Sequence, residues 1–562
     1  MSASRVFLAA LLIFLSVTGI YIFTVVTLDN TDAGTTNGLW KSPLIKGWEQ
    51  GTDHRLDSGE WLYTPLYGVL CRFIPDRWVS YGSKAPLVTF RKMAMLNSVF
   101  GGMASAFVFL LAMRFLSSVL ASIAVVLGHG CAAFVVINSV NSEDIMPAYA
   151  FFVLTAYFLF AYLDNNRIAS LAGSIFGCAM LTLLHWTLMI PALAAVAAVG
   201  LVSRRIWTLV LYFGVFLLFL KVFMLGFRPS PNGPQGWAIV DDTPRRNRTE
   251  FDRIPSMRDI LYPSKAAPNG YLGFRVDKIM LAFVGTGNYF VGGTNITDHH
   301  AAFGTPSILK WMKVSWVFAS ATLAALVWAL LRKGSPPKVR LLAVFGLTLF
   351  AAGEMEHLYS QPQDPQSQIQ PMFATTLGVI VILEGLAGRP RAMRALAVCL
   401  GGVFIWEGAS NAQILFASRG NDTRYMQAAQ ELARIFPPEN TVIVSQGWEE
   451  WNTWVHTETF GGQSVWYVSR NIGLTNGFIQ HPDLTPEQAA AFMAKEIADQ
   501  MAQGRRVVAN VVWTGSREAF AQSLSSLTDI ESARIYTEDL YKAFHTGRSW
   551  DTSVDKFVEL EK

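Results

Sequence analysis

The chain has 562 residues, of which 52% are hydrophobic and only 15% charged, where a soluble domain carries about 25% charge. With a mean hydropathy of +0.32, this composition excludes a cytosolic enzyme, a disordered chain and a secreted disulfide scaffold. The net charge of +4 is divided: Asn411–Lys562 holds 13 Lys+Arg against 19 Asp+Glu, a net of −6, and the rest of the chain has a net of +10.

Apolar runs long enough to cross a bilayer recur from the start of the chain. The first, Val6–Leu28, is too long for a signal-peptide core, has no small-residue cleavage site and is expected to remain as a helix. Further runs lie near residues 94–113, 118–137, 145–163, 168–185, 187–203, 206–225, 312–331, 340–353, 371–388 and 394–410. Together they predict a polytopic α-helical membrane protein of roughly eleven transmembrane helices. No repeat or low-complexity tract stands out.

Sidedness follows from the cations. One set of connections carries Arg5, Arg114, Arg167, Arg204, Arg205, Arg332, Lys333, Lys338, Arg340, Arg389, Arg391 and Arg394, while loops 138–144 and 354–370 hold no Lys or Arg. The positive-inside rule puts the basic set, and the N-terminus with it, in the cytoplasm. Residues 277–293 are apolar but short; if they spanned, the Leu331–Arg340 loop would face outward with four positive charges, so they read as an interfacial or re-entrant piece of one external segment, 226–311. Residues 1–410 then form the membrane domain, with external loops 28–93, 138–144, 226–311 and 354–370, and residues 411–562 an extracytoplasmic domain.

That tail changes character. Residues 423–436 read as an amphipathic helix, Thr441–Ser445 as a strand, and residues 484–503 as a helix capped by Thr485 with Pro486 in its first turn and ended by Gly504. Val507–Val512 reads as another strand. The alternation predicts a small α/β domain. It has no Gly-rich dinucleotide fingerprint, and binding or shielding an acceptor is the role expected of it.

Polar residues of the membrane part collect in the external loops. The first loop opens with Asp29 and Asp32; the second contains Glu143 and Asp144; the fifth span ends at His185; the loop after the ninth carries His357, Tyr359, Gln361, Gln363, Asp364 and Gln366. The membrane midplane reads as nearly free of ionisable groups, with His129 the main exception. A carboxylate can take the proton of an acceptor hydroxyl, and cations or a metal can stabilise a departing phosphate.

Each of these has a plainer reading. Asp29 and Asp32 suit a solvated helix boundary, and Glu143–Asp144 suit the positive end of the helix they precede. His185 and His129 suit packing, and Lys221 can snorkel. Arg245, Arg246, Arg248, Arg253, Arg258, Arg275 and Lys278 of the long loop suit a solvated face, with one or two free to hold a lipid phosphate. The stretch Trp448–Trp454 can stack sugars or rest on the membrane. Asn247, Asn295 and Asn421 begin Asn-x-Ser/Thr matches that identify no host. The four cysteines are scattered and form neither a disulfide frame nor a metal spacing.

The acid soon after the first span, the first loop ending in Tyr63-Thr-Pro-Leu-Tyr67, the acids between spans three and four, the long loop after span seven and the external tail together resemble the GT-C superfamily of polyprenyl-phosphate-dependent glycosyltransferases. The resemblance covers most of the chain in architecture and only short stretches in sequence; the amide-rich loop at Tyr359–Gln366 matches no motif of the superfamily, which leaves the particular family open. It implies an inverting transfer of sugar from a polyprenyl-phosphate donor to a hydroxyl of a glycan, lipid or protein. It further implies a first-loop aspartate, Asp32 or Asp29, as base or metal ligand, with Asp32 slightly preferred. Glu143 and Asp144 would hold a metal (Mg or Mn) or the acceptor. Arg275, Lys278, His185, His357, Tyr359 and Gln361 would serve the donor phosphate and sugar. The expected setting is a bacterial inner membrane with a periplasmic C-terminal domain; the partners are membrane lipids, the lipid-linked donor and the acceptor, and nucleic acid is not among them. Two other functions stay open: a transporter or flippase of lipid-linked saccharides, and a ligase or polymerase of the O-antigen type using a pyrophosphate-linked donor.

Overall fold

The computed structural model describes residues 3–25, 42–51, 62–79, 88–141, 145–185, 188–226, 306–357, 369–437, 440–445, 471–474, 477, 484–510, 512–524, 528–552 and 555–561. Each of the eleven apolar runs falls on a helix. They are α1 (Ala3–Thr24), α5 (Val88–Phe115), the pair α6 (Val119–Cys131) and α7 (Ala133–Val140), α8 (Ile145–Asn165), α9 (Ile168–Leu184), α10 (Met189–Val202), α11 (Ile206–Gly226), α12 (Pro306–Leu331), α13 (Pro337–His357), α14 (Ile369–Glu384) and α15 (Pro390–Ile435). Between α1 and α5 lie three short helices of the first loop, α2 (Ser42–Gln50), α3 (Tyr63–Cys71) and α4 (Asp76–Val79). Among the described residues six helices are long and apolar enough to cross a membrane, seven with the bent pair α6–α7; α9, α10 and α14 are shorter apolar helices. The chain is an integral membrane protein.

The expected third span is not straight: α6 and α7 meet at 61°. Ala132 is extended at the break (φ −61, ψ 136), which frees carbonyls of the preceding turn. Inside a bilayer such groups must find donors within the protein. Tyr21 of α1 donates its hydroxyl to the Gly130 carbonyl at 2.6 Å, and Asn411 of α15 donates Nδ2 to the Cys131 carbonyl at 2.9 Å. Gly128 is packed against the Phe404 ring and Gly408 against the Cys131 side chain, so a Cβ at either position would have to displace its neighbour.

The basic connections share one end of the bundle. Arg114 pairs with Asp164 at 2.9 Å, Lys338 donates to the Arg114 carbonyl at 2.8 Å, and Arg205 donates to Asn166 Oδ1 at 2.5 Å. Antiparallel helices joined by short connections place α2–α4, the end of α7 and the start of α14 at the opposite end.

One expectation fails at the join to the tail. Rather than a new helix beginning near residue 423, α15 runs unbroken for 46 residues, Pro390–Ile435. Nothing between Asn411 and Thr423 breaks it: the stretch contains no proline, and its one glycine is tolerated inside a helix. Beyond it, β1 (Thr441–Ser445), β2 (Asn471–Gly473), β3 (Arg506–Ala509), β4 (His545–Asp551) and β5 (Lys556–Glu561) form a sheet in the order β2-β1-β3-β5-β4. β1 pairs in parallel with β2 and β3, while β5 pairs antiparallel with β3 and β4. Strand β3 ends three residues earlier than the sequence suggests. Helices α16 (Pro486–Ala502), α17 (Arg517–Ser523) and α18 (Ile530–Ala543) accompany the sheet. Val442, Val444, Val507, Met493, Ile497, Tyr536 and Leu540 form its buried core. Thr485 caps α16 in a reciprocal box with Gln488, and Gly504 follows it at φ +75.

Asp529 caps α18, its Oδ1 accepting from the Ser532 amide at 2.9 Å and its Oδ2 from the Ser532 hydroxyl at 2.6 Å. Asp529→Ala is expected to cost about 1 kcal/mol. Those bonds, the Ser532 hydroxyl foremost, hold the Asp529 carboxyl below its ordinary range. Its stabilisation is therefore complete above the unfolded pKa and is lost as pH falls through the lower folded value. Thermal unfolding of wild type and variant should differ at pH 7 and converge in acid; a difference that persists at low pH would refute the capping account.

Candidate functional site

At the end of the bundle opposite the basic connections, four segments that the sequence marks as polar are tied together. The first tie is local to the first loop. Helix α2 packs on α3 because Gly68 offers no side chain against Trp48 and the Ile45 carbonyl. Arg72 clasps the end of α2, donating to the carbonyls of Trp48 at 2.6 Å and Glu49 at 2.9 Å. Lys92, 2% exposed at the start of α5, meets both Glu49 of α2 and Asp76 of α4, the latter at 2.6 Å. A buried ammonium needs such partners, because desolvation is repaid only by paired charge and hydrogen bonds.

The second tie joins the first loop to the second. Tyr63 and Tyr67 stack at 4.3 Å and are fully buried. Tyr67 donates its hydroxyl to Asn97 Oδ1, and Asn97 passes the chain of bonds on, donating Nδ2 to the Asn141 carbonyl at 2.8 Å. Burial pushes the Tyr67 phenol above its ordinary range, so it stays a donor. The next residue of α5, Ser98, donates to the Ser139 carbonyl at 2.9 Å. Asn138 and Ser139, expected in a loop, are instead buried residues of α7, and Asn141 ends the described part of this connection. Two further bonds complete the gathering. The Leu62 amide donates to the Leu183 carbonyl at 3.0 Å, setting the start of α3 beside the end of α9. Gln370 Nε2 donates to the Leu188 carbonyl at 2.7 Å, bringing the start of α14 to the same connection.

Of the residues singled out in the sequence, His185 is placed by this network. It closes α9 in an extended conformation, its amide donating to the Leu181 carbonyl at 2.8 Å, and it lies two residues beyond the Leu183 carbonyl that holds Leu62. His357 is the last residue of α13, which carries the helix four residues into the loop expected at 354–370. Its side chain lies outside the described residues, as do Asp29, Asp32, Glu143, Asp144, Arg275, Lys278, Tyr359 and Gln361, and the segment 277–293. Among the described residues no group of three His, Cys, Asp or Glu could hold a metal ion.

Sequence reading missed Lys92, Glu49 and Asp76. The signal was a lysine two residues before an apolar run, which on its own reads as an interfacial cation. It also missed Glu407. The expectation of a midplane with His129 as its main ionisable group is corrected here, since Glu407 of α15 is 3% exposed and neither of its carboxyl oxygens has a hydrogen-bond partner among the described residues. His129 itself is satisfied at Nε2 by the Tyr149 hydroxyl at 2.9 Å and packs edge-on to Phe373.

The four cysteines are free thiols. Cys71, in α3, is pushed up to about 12 by burial first and then by the nearby Glu49 carboxylate, which makes it a packed apolar residue of this corner rather than a nucleophile.

No family model and no curated protein matches the chain. Among solved structures, the chain is similar to ArnT from Cupriavidus metallidurans bound to undecaprenyl phosphate, at 9% identity over 100% of this chain and 98% of that chain, with a TM-score of 0.48.

Proposed function

We propose that the protein is a membrane glycosyltransferase that moves a sugar from a polyprenyl-phosphate donor to a hydroxyl acceptor at the extracytoplasmic face. The observation that carries this reading is the Tyr67–Asn97–Asn141 relay. It holds the first external loop against the chain that enters Glu143 and Asp144, at the end away from the basic connections. A transferase of this kind needs that convergence, because its donor tail stays in lipid while the sugar and acceptor meet at the headgroup level.

In the reaction, the acceptor oxygen attacks the anomeric carbon as the bond from that carbon to the phosphate oxygen breaks. The bonding pair leaves with the lipid phosphate, and the hydroxyl proton passes to a carboxylate. Asp32 or Asp29 is assigned the proton, Glu143 and Asp144 the acceptor or a divalent metal, and His185, His357, Tyr359, Gln361, Arg275 and Lys278 the donor. The reading adds Lys92, whose ammonium neutralises the departing phosphate. Asp76, its more exposed partner at 73%, is the group it releases. A bacterial inner membrane and a periplasmic tail that receives the acceptor belong to the same proposal.

The test is transfer by purified protein from a polyprenyl-phosphate sugar, with glycan mass spectrometry to name the sugar. Asp29→Ala and Asp32→Ala are made singly and together at unchanged expression. Loss of general-base help predicts a fall of about 10²–10⁴ in rate. Full activity in the double variant would remove the assignment.

One observation favours the flippase reading: a buried Glu407 beside a bent span, with no hydrogen-bond partner among the described residues, is a feature that transporters place in their pathways. Movement of lipid-linked saccharide across liposomes with no sugar transfer would put that reading first.

A further inference from the structure

The elbow between α6 and α7 holds a buried acid apart from the candidate site. Glu407 of α15 is 3% exposed, and neither of its carboxyl oxygens has a hydrogen-bond partner among the described residues. Helical spacing puts it on the face of α15 that covers the break. Phe404, one turn before it, packs on Gly128, and the adjoining Gly408 packs on the Cys131 side chain. Asn411, one turn after it, donates to the Cys131 carbonyl at 2.9 Å. The Glu407 carboxyl lies within Coulombic reach of the Cys131 thiol.

The backbone at the break adds to the negative side. Helix α6 ends there, and a helix C-terminus carries partial negative charge. The Gly130 carbonyl, bonded by Tyr21 at 2.6 Å, and the Cys131 carbonyl each keep a second lone pair. The titratable groups of α6 at this level are Cys131 and His129, the latter bonded at Nε2 to the Tyr149 hydroxyl. Helix α1 brings Tyr21, with Arg5 at its other end; α7 has none, and α14 has Glu384 at its far end. Helix α12, whose Phe318 meets Phe404 edge-on, has Lys310 and Lys313 in its first turns, with side chains outside the described residues. On α15 itself Arg394 and Arg419 stand more than three turns away in either direction. Among the described residues no ion pair joins Glu407 to a cation.

A carboxylate buried in a bilayer needs a counter-charge. We propose that Glu407 and the carbonyls at the α6–α7 break bind one small monovalent cation, a proton or a sodium ion. Unwound carbonyls and the C-terminal end of a half-helix are what membrane proteins use to coordinate such ions, and here a carboxyl group faces them. Occupied, the site fixes the angle at which α7 delivers Ser139 and Asn141 to the external end, whichever reaction proceeds there.

Thermal unfolding of the full-length protein in detergent reads the occupancy with no sugar transfer involved. A ligand of the folded state raises the melting temperature by mass action, here by about 1 °C for each tenfold rise in free cation. In one series sodium chloride replaces choline chloride at constant ionic strength and alkaline pH; in the other, pH is lowered without sodium. Glu407→Gln, a neutral isostere that keeps the volume, is run beside wild type in both. A rise with sodium that the variant lacks assigns a sodium ion. A rise with acid alone that the variant lacks assigns the proton. A Glu407→Gln variant that follows wild type in both series overturns the proposal.

Discussion

Lys92→Met is expected to unfasten the first loop and abolish transfer together. The substitution removes the ammonium that serves both Glu49 and Asp76. Glu49, 18% exposed, is then left as a mostly buried carboxylate without its ammonium. Breaking a buried pair from one side costs about 3–5 kcal/mol. The exposure of Asp76 puts this case near the lower end of that range. Thermal unfolding in detergent should show the loss, because α2 and α4 are held to α5 through this lysine. Lys92→Met combined with Glu49→Gln and Asp76→Asn removes all three charges at once and is expected to recover most of the stability. Transfer should stay absent in that triple variant, since no ammonium remains for the lipid phosphate. A triple variant with full activity would make Lys92 a structural tie and nothing more; a single variant as stable as wild type would dismiss the tie as well.

The second large effect is expected at Gly378. A Cβ there would stand 2.5 Å from the Thr322 carbonyl oxygen and 2.6 Å from the Thr322 Cβ. Helices α12 and α14 thus pack backbone against backbone, the arrangement small residues allow inside a bilayer. Thr322 cannot yield, because its hydroxyl is bonded to the Phe318 and Ala319 carbonyls of its own helix and its backbone is helical. Gly378→Leu must force the two helices apart, at about 3 kcal/mol or more. The expected result is loss of folded, monodisperse protein on size-exclusion chromatography. Gly402→Ala in α15 is the control: nothing lies within 4 Å of its Cβ, and the change should be neutral or stabilising by up to about 1 kcal/mol. Equal behaviour of the two variants would mean that α12 and α14 do not approach so closely.

The parts of this fold legible in sequence are those set by one-dimensional constraints. A bilayer requires long apolar runs, and all eleven lie on helices. The Thr485-Pro-Glu-Gln488 start and the Gly504 stop were legible because caps are local chemistry. The elbow at Ala132 was not, since the residues on either side are as apolar as the rest of the run. Its cause lies in Tyr21 and Asn411, far away in sequence. Lys92 was missed for the same reason: its partners come from α2 and α4, and only packing brings them to α5. At the candidate site, His185 could be read as a polar residue at a span end. The Tyr67–Asn97–Asn141 relay could not, because Asn97 looks like an ordinary residue inside an apolar run and its partners come from two other connections.

The elbow between α6 and α7 has a consequence for biosynthesis. Its fasteners come from the first and last membrane helices, and Asn411 is 280 residues further along the chain than the carbonyl it serves. At translation speeds of about 5–20 residues per second, roughly 15 to 60 seconds separate the emergence of the break from that of its second donor. During that interval the Cys131 carbonyl must borrow a partner, from water or the insertion machinery, and ribosome stalling before residue 411 should leave a nascent bundle whose third crossing is still unset.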